Sequence, residues 1–211
     1  VSPGNMSLKI VDHPLAQHLL SHLRDASTPP AQFRQFSRLL SQLLIIEATR
    51  ELPTRPAPVQ TPLEETQGHY LGQSLAVVPV LRAGLAMLEP ALDLFPEVGV
   101  GYIGLERNHD TAIAHSYYCK LPNLVGKLTL CVDPMLATGG SASQAISLLK
   151  AHGADQLRMV SVIASPEGAA RLQEAHPDVD VWVAGLDRGL NDKKYIVPGL
   201  GDFGDRLYGT L

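Results

Sequence analysis

Cysteine is scarce here. Cys119 and Cys131 are the only two in 211 residues, too few for a disulfide framework or a zinc site, and a reduced, cytoplasmic setting is the natural expectation. Cys131 falls inside an apolar strand and reads as core packing. No basic run exists and the formal net charge is −4, which argues against a nucleic-acid surface. Apolar runs are short; none approaches the roughly 20 residues of a membrane span. Internal repeats and low-complexity tracts are missing too. The eight histidines show no metal-ligand spacing and most read as surface or capping groups, and Glu64-Glu65 as a solvated pair. Val1 to Asn5, ahead of Met6, are expected to be a leftover leader outside the fold, with no secretory signal.

What is present is enough apolar residue, 45%, for one substantial core. Residues 12–24 predict a helix with Leu15, Leu19 and Leu23 on one face. A second helix follows Pro29-Pro30, with Phe33, Phe36, Leu40, Leu43 and Glu47 at helical spacing and Arg34 and Arg38 outside. Residues 52–72, with Pro53, Pro56, Pro58 and Pro62, read as an irregular or edge-strand connection. From residue 74 strands and helices alternate: strand 75–80, helix 83–95 with Pro90 as a candidate bend, strand 98–105, a polar hairpin or flap through 106–116, strand 128–132 and its helix, strand 157–164, helix 167–176 and strand 179–186. The tail, 187–211, is rich in Gly and Asp and shows little periodicity. The expectation is an α/β fold, a doubly wound and mostly parallel sheet, with an N-terminal helical arm (6–72), an α/β core (73–186) and the tail, all in one domain. Ligands in such sheets sit beyond the C-terminal strand ends.

One such end carries the strongest local signal. Strand 128–132 is followed by Asp133, a small-residue turn (Ala137-Thr138-Gly139-Gly140-Ser141), then a helix with Ala142, Ala145, Ile146 and Leu149 on one face. Strand, acid, glycine turn and helix start describe a phosphate cradle, in which free N–H groups and the positive helix end face the anion. No Lys follows the glycines as in a Walker loop, and the spacing is not that of a dinucleotide fingerprint. The competing reading is an ordinary helix start capped by Ser141 or Thr138. Asp133 suits sugar hydroxyls or a cation better than the phosphate itself. Arg82, after strand 75–80, would set a cation at a helix start, which is unfavourable without an anion there.

The stretch Asp133-Pro134-Met135-Leu136-Ala137-Thr138-Gly139-Gly140-Ser141 resembles the phosphoribosyl-diphosphate (PRPP) motif of type I phosphoribosyltransferases, in the spelling of the uracil phosphoribosyltransferase family. Leu81 to Leu85 (LRAGL), DHPL at 12–15, Ser165 to Gly168, HPD at 176–178 and the tail from Lys194 to Arg206 resemble that family as well. The resemblance implies transfer of the phosphoribosyl group of PRPP to uracil, giving UMP and pyrophosphate, with Mg²⁺ carried by the diphosphate. It implies PRPP contacts from Arg82, Arg107, Asp133 through Ser141 and Asp202, and uracil recognition, largely by main chain, from Ile196, Gly201, Asp202 and Phe203. It also implies a homodimer or larger assembly, and some members are stimulated by GTP; no residue locates a GTP site. Departures from the family pattern are Glu106 for an aromatic, His109 for a common acid, Lys194 for Gly and Ile46 for a frequent Tyr. The wider superfamily has two acids where Asp133-Pro134 stands. The alternatives are transfer to another base and a non-catalytic regulator that binds PRPP or UMP.

Overall fold

A computed structural model describes residues 7–107 and 114–210, with the side chains of 106, 107 and 114–116 outside the description. In chain order the elements are β1 (Leu8–Ile10), α1 (Pro14–Arg24), α2 (Pro30–Ala48), β2 (Thr54–Gln60), β3 (Glu65–Leu71), β4 (Leu75–Leu81), α3 (Leu85–Leu94), β5 (Gly99–Val100), β6 (Tyr102–Arg107) and β7 (Ala114–Lys120). They continue with β8 (Leu128–Val132), β9 (Met135–Leu136), α4 (Gly140–Ala151), β10 (Gln156–Ala164), α5 (Pro166–Ala175), β11 (Asp180–Leu186), β12 (Gly189–Leu190), β13 (Ile196–Val197) and α6 (Phe203–Tyr208).

The main sheet runs β1-β11-β10-β8-β4-β6-β7, with β5 beside β4 and β9 beside β10. All its pairings are parallel except β6 with β7, an antiparallel hairpin at one edge. The central strands β4 and β8 are buried nearly throughout, as continuous apolar runs require in a sheet covered on both faces. Residues of α1, α2, α3 and α6 build one core layer and those of α4 and α5 the other, so the sheet is doubly wound. The helices of the N-terminal arm thus form half of one layer.

Several sequence expectations need correction. Leu15 is 47% exposed, while Ala16, Leu19, Leu20 and Leu23 are buried; steps of four residues drift around the helix by about 40° each, which carries Leu15 off the core face. Strand 98–105 is two strands, β5 and β6, broken at Gly101. Of the two readings of the proline-rich 52–72 stretch, the edge-strand one holds and the irregular one does not: it is an antiparallel hairpin, β2 with β3, registered from Thr54–Leu71 to Gln60–Glu65. Pro56 and Pro58 lie two apart in β2, so both put their missing N–H on the same side, which an edge strand tolerates. Pro90 is buried in a continuous α3. β1, β12, β13 and α6 have no periodic signal long enough to predict them. No helix among the described residues is long and apolar enough to cross a membrane. Cys131 is fully buried, with its thiol pKa pushed well up by burial and by Asp133.

Candidate active site

The loop after β8 is sewn to β10 along its length. The Asp133 N–H donates to the Val160 carbonyl (3.2 Å), and the Pro134 carbonyl accepts from Val162 and Ile163 (2.9 and 3.2 Å). Met135 and Leu136 pair with Ile163 and Ala164. The Ser165 N–H donates to Leu136 (3.0 Å) and its hydroxyl to the Ala137 carbonyl (2.6 Å). One Asp133 carboxylate oxygen accepts from the Met135 N–H at 3.4 Å, an Asx-type closure of the turn.

At the helix start Gly139 has φ +73 and caps α4 with no side-chain hydrogen bond. The capped-start alternative, through Ser141 or Thr138, is therefore not what the chain adopts. The first helical bond runs from the Ser143 N–H to the Gly139 carbonyl (2.9 Å), so the N–H groups before it have no intrahelical partner and are available to an anion. A β-carbon on Gly139 would stand 2.6 Å from the Gly168 carbonyl, and one on Gly168 would stand 2.3 Å from the Ala137 carbonyl. Close backbone approach, as well as positive φ, demands glycine here. Arg171 of α5 reaches over the same turn: a β-carbon on Gly140 would lie 3.4 Å from Arg171 Nη1. Sequence reasoning missed Arg171, since nothing local to the motif points to a residue thirty positions later.

Arg82 is exposed at the end of β4, and the Leu81–Arg82 peptide is cis. Its loop is pressed on β8: a β-carbon on Gly84 would meet the Val132 carbonyl at 2.5 Å. Arg82 opens on a cleft shared with Leu81, Leu105 and Tyr117, beside the cavity described next. Arg107 ends β6, its backbone opposite Ala114; its side chain, Asn108 and His109 lie outside the described residues.

The tail closes a cavity of about 360 Å³ against the loop. Asp133, Met135 and Ala137 form one wall, with Ala83 beside them. Lys193 to Ile196 and Gly201 to Gly204 form the other. Ile196 and Phe203 are only 4% and 2% exposed, and the Phe203 ring packs edge-on to Phe33 at 5.1 Å, so both side chains belong to the core. Gly201 takes φ +81. Asp202 caps α6 by accepting from the Asp205 N–H (2.9 Å). Lys194 is the one described non-glycine residue at positive φ, +65. So Asp133, Met135, Ala137, Ile196, Gly201, Asp202 and Phe203 come together, while Pro134 and Leu136 serve the strand pairing and Thr138 to Ser141 form the helix start. A larger cleft of about 580 Å³, between Arg55, Gln73 and Glu97, lies toward the opposite end of β4 and gathers none of these residues.

His176 is not one of the surface histidines: it stands at the C-cap of α5. It is 7% exposed, and its Nε2 lies 2.9 Å from the Ser143 carbonyl and 3.3 Å from the Ser143 and Ser147 hydroxyls. Burial holds its pKa below the ordinary 6.5. It ties the end of α5 to the helix that follows the glycine turn.

Comparison with known proteins places this geometry. Residues 10–210 match the profile of a family described as uracil phosphoribosyltransferase. A uracil phosphoribosyltransferase of Dictyoglomus turgidum is 50% identical over 203 residues, covering 95% of this chain and 98% of the relative. One of Finegoldia magna is 51% identical, covering 95% and 97%. A solved protein from Aquifex aeolicus superposes with a TM-score of 0.89 at 39% identity, covering 95% of this chain and 97% of its own. A hypoxanthine-guanine phosphoribosyltransferase from Bacillus anthracis shares the fold at a TM-score of 0.51 and 13% identity, covering 75% of this chain and 80% of that one.

Proposed function

This chain belongs to the uracil phosphoribosyltransferase family, and on that footing we propose that it transfers the phosphoribosyl group of PRPP to uracil, giving UMP and pyrophosphate. The observation that carries the reading is the single cavity walled by Asp133, Met135 and Ala137 on one side and by Ile196 and Gly201 to Phe203 on the other. A sugar phosphate at the glycine turn would present its anomeric carbon toward that second wall.

In this reading the N–H groups of Ala137 to Ser141 and the Thr138 and Ser141 hydroxyls hold the 5′-phosphate, with the helix dipole behind them. The Asp133 carboxylate accepts from the ribose hydroxyls. Arg82, and Arg107 from the β6–β7 hairpin, grip the diphosphate, for which a planar guanidinium fork is suited. Uracil N1 attacks the anomeric carbon in line as the bond to the diphosphate oxygen breaks, through an oxocarbenium-like transition state; the diphosphate keeps the bond's electron pair and the N1 proton is released to solvent. The chain supplies position and electrostatics for this displacement. Main-chain groups of Ile196 and Gly201 to Phe203 match the two carbonyls and the N3–H of uracil; cytosine would leave buried groups unpaired.

Two acidic residues, Asp133 and Asp202, line the cavity, and no group of three or more potential metal ligands gathers among the described residues. That donor set fits Mg²⁺, which keeps waters and takes substrate phosphate oxygens as ligands. When bound, Mg²⁺ supplies charge neutralisation of the departing diphosphate.

The protein acts in the cytoplasm as a homodimer or larger assembly. The β2–β3 hairpin supports the assembly: it packs chiefly on itself and exposes Leu63 (94%), Tyr70 (48%) and Leu71 (48%), whereas a lone two-stranded hairpin is marginal in water. Sedimentation of a single monomeric species would remove that part. GTP stimulation is the regulatory part, tested by adding GTP to the activity assay. For the reaction itself, protein, Mg²⁺ and PRPP are mixed with each base in turn. Pyrophosphate release with uracil alone is expected; release with a purine instead, or with no base at all, overturns the reading.

A further inference from the structure

In the functional reading above the tail wall recognises uracil through its main chain, so its accuracy depends on whatever fixes that backbone. Three charged side chains do so, two from the tail itself and one, Arg24, from the other end of the chain. Asp187, just past β11 and 7% exposed, accepts the Gly199 N–H at 2.9 Å. Arg24, the last residue of α1, makes a fork to both Asp187 oxygens (2.8 and 2.5 Å) and donates to the Gly199 carbonyl at 2.8 Å. Both peptide groups of Gly199, which has φ +63, are thus tied to one ion pair. Arg206, 9% exposed, donates to the next carbonyl, Leu200, at 2.8 Å, and to the Leu23 and Asp25 carbonyls at the end of α1. The negative end of α1 favours that cation, and its guanidinium lies 4.5 Å from the centre of the Phe33 ring, the ring against which Phe203 packs.

We infer that Arg24, Asp187 and Arg206 are positioning residues for the base: they fix residues 199–200, between Ile196 and Gly201, and so make the C-terminal end of α1 part of the uracil subsite. The inference rests on the functional reading above. Two features separate it from simple stabilisation. A buried ion pair contributes little net stability compared with apolar packing. And the hydrogen bonds of this pair end on the backbone of Gly199, two residues before Gly201, where placement within about 0.5 Å governs recognition.

Pyrophosphate release is measured with uracil varied at saturating PRPP, then with PRPP varied at saturating uracil, for the wild type, Asp187→Ala, Asp187→Asn and Arg24→Gln. Asp187→Ala should raise the KM for uracil by about tenfold, the loss expected for a buried charged hydrogen bond, with the KM for PRPP within about twofold of wild type by the same reasoning. Asp187→Asn keeps an acceptor for the Gly199 N–H and should recover part of the uracil affinity. Arg24, with its side chain 28% exposed against 4% for Asp187, is the milder site to change if Asp187→Ala does not fold, and Arg24→Gln should shift the uracil KM in the same direction. Equal rises in both KM values, a fall in kcat with both KM values unchanged, or no change in Arg24→Gln overturns the inference while the functional reading stands. A wild type that releases no pyrophosphate with uracil overturns both.

Discussion

The two walls of the cavity are built in opposite ways. The loop at 133–141 takes its shape from neighbours close in sequence: its partners on β10 and α5 lie about thirty residues away, and the strand, turn and helix follow one another without interruption. The tail takes its shape from Arg24, Leu23, Phe33 and Arg34, more than 160 residues earlier; even the Leu207 carbonyl is held by Arg34 at 2.8 Å. One wall is a local motif and the other a tertiary assembly. In the proposed function the first solution serves the phosphate, because helix-start N–H groups without intrahelical partners favour an anion. The second would serve the base through main chain, because an irregular backbone has no intrinsic geometry to rely on.

If that contrast holds, the largest effect belongs to the loop's own backbone. Gly139→Ala places a β-carbon 2.6 Å from the Gly168 carbonyl at φ +73, so the turn must move away from α5. A displacement of about 1 Å costs on the order of a hundredfold in rate. Turnover should fall by about that factor, with far-ultraviolet circular dichroism unchanged. Near-normal turnover would mean that the turn is not the phosphate site.

The same contrast explains what the sequence could tell. β4 and β8 are continuous apolar runs, and α4 shows Ala142, Ala145, Ile146 and Leu149 at helical spacing; all four are buried. Periodicity reports such elements directly, and the acid–glycine turn between them needs no distant partner to be recognised. β1 has three residues, β12 and β13 two each, and α6 six, too short for any period to register. The roles of Asp187 and Arg206 depend on contacts from Leu23 to Asp25, and nothing near residue 187 points to residue 24. The resemblance to a known family could name Ile196 and Gly201 to Phe203, but not the side chains that hold them.

Asp133→Asn tests the division of labour between the walls. The amide keeps the shape and loses the charge that favours the ribose hydroxyls, so the KM for PRPP should rise by about tenfold, the scale of a lost charge-assisted bond, while the KM for uracil stays put. This is the mirror image of the Asp187 variants. Unchanged PRPP kinetics would remove Asp133 from its role.

A smaller effect concerns the helix behind the loop. Burial lowers the His176 pKa, with the Ser143 carbonyl and Asp178 opposing the shift and Lys150 adding to it. The unfolded chain therefore takes up a proton near pH 6.5 that the folded chain refuses until lower pH. Stability from the neutral ring is full above about pH 6.5 and declines as pH falls from there toward the folded pKa. The wild-type melting temperature should drop over that window, and that of His176→Gln should drop less. Parallel curves would show that the ring does not titrate with folding.

The smallest effect lies in the tail, at Lys194, where the sequence resemblance predicts glycine. Lys194 sits at φ +65, between the Lys194 N–H bond to the Asn191 carbonyl (2.9 Å) and the Tyr195 N–H bond to the Asn191 side chain (3.0 Å). A side chain in the left-handed region costs roughly 1–2 kcal/mol; glycine removes that cost but adds unfolded-state entropy of about 0.4–1 kcal/mol. The net gain for Lys194→Gly is about 0.5–1 kcal/mol by that difference, or about 1–3 °C in melting temperature for a chain of this size. Lys194→Ala removes the same charge and keeps the β-carbon, so it should leave the melting temperature where it is. If both variants shift it equally, the lysine's charge governs stability at this turn. If only glycine raises it, the strain is in the backbone, and the turn closed by Asn191 holds Lys194 in a conformation its own residue type disfavours.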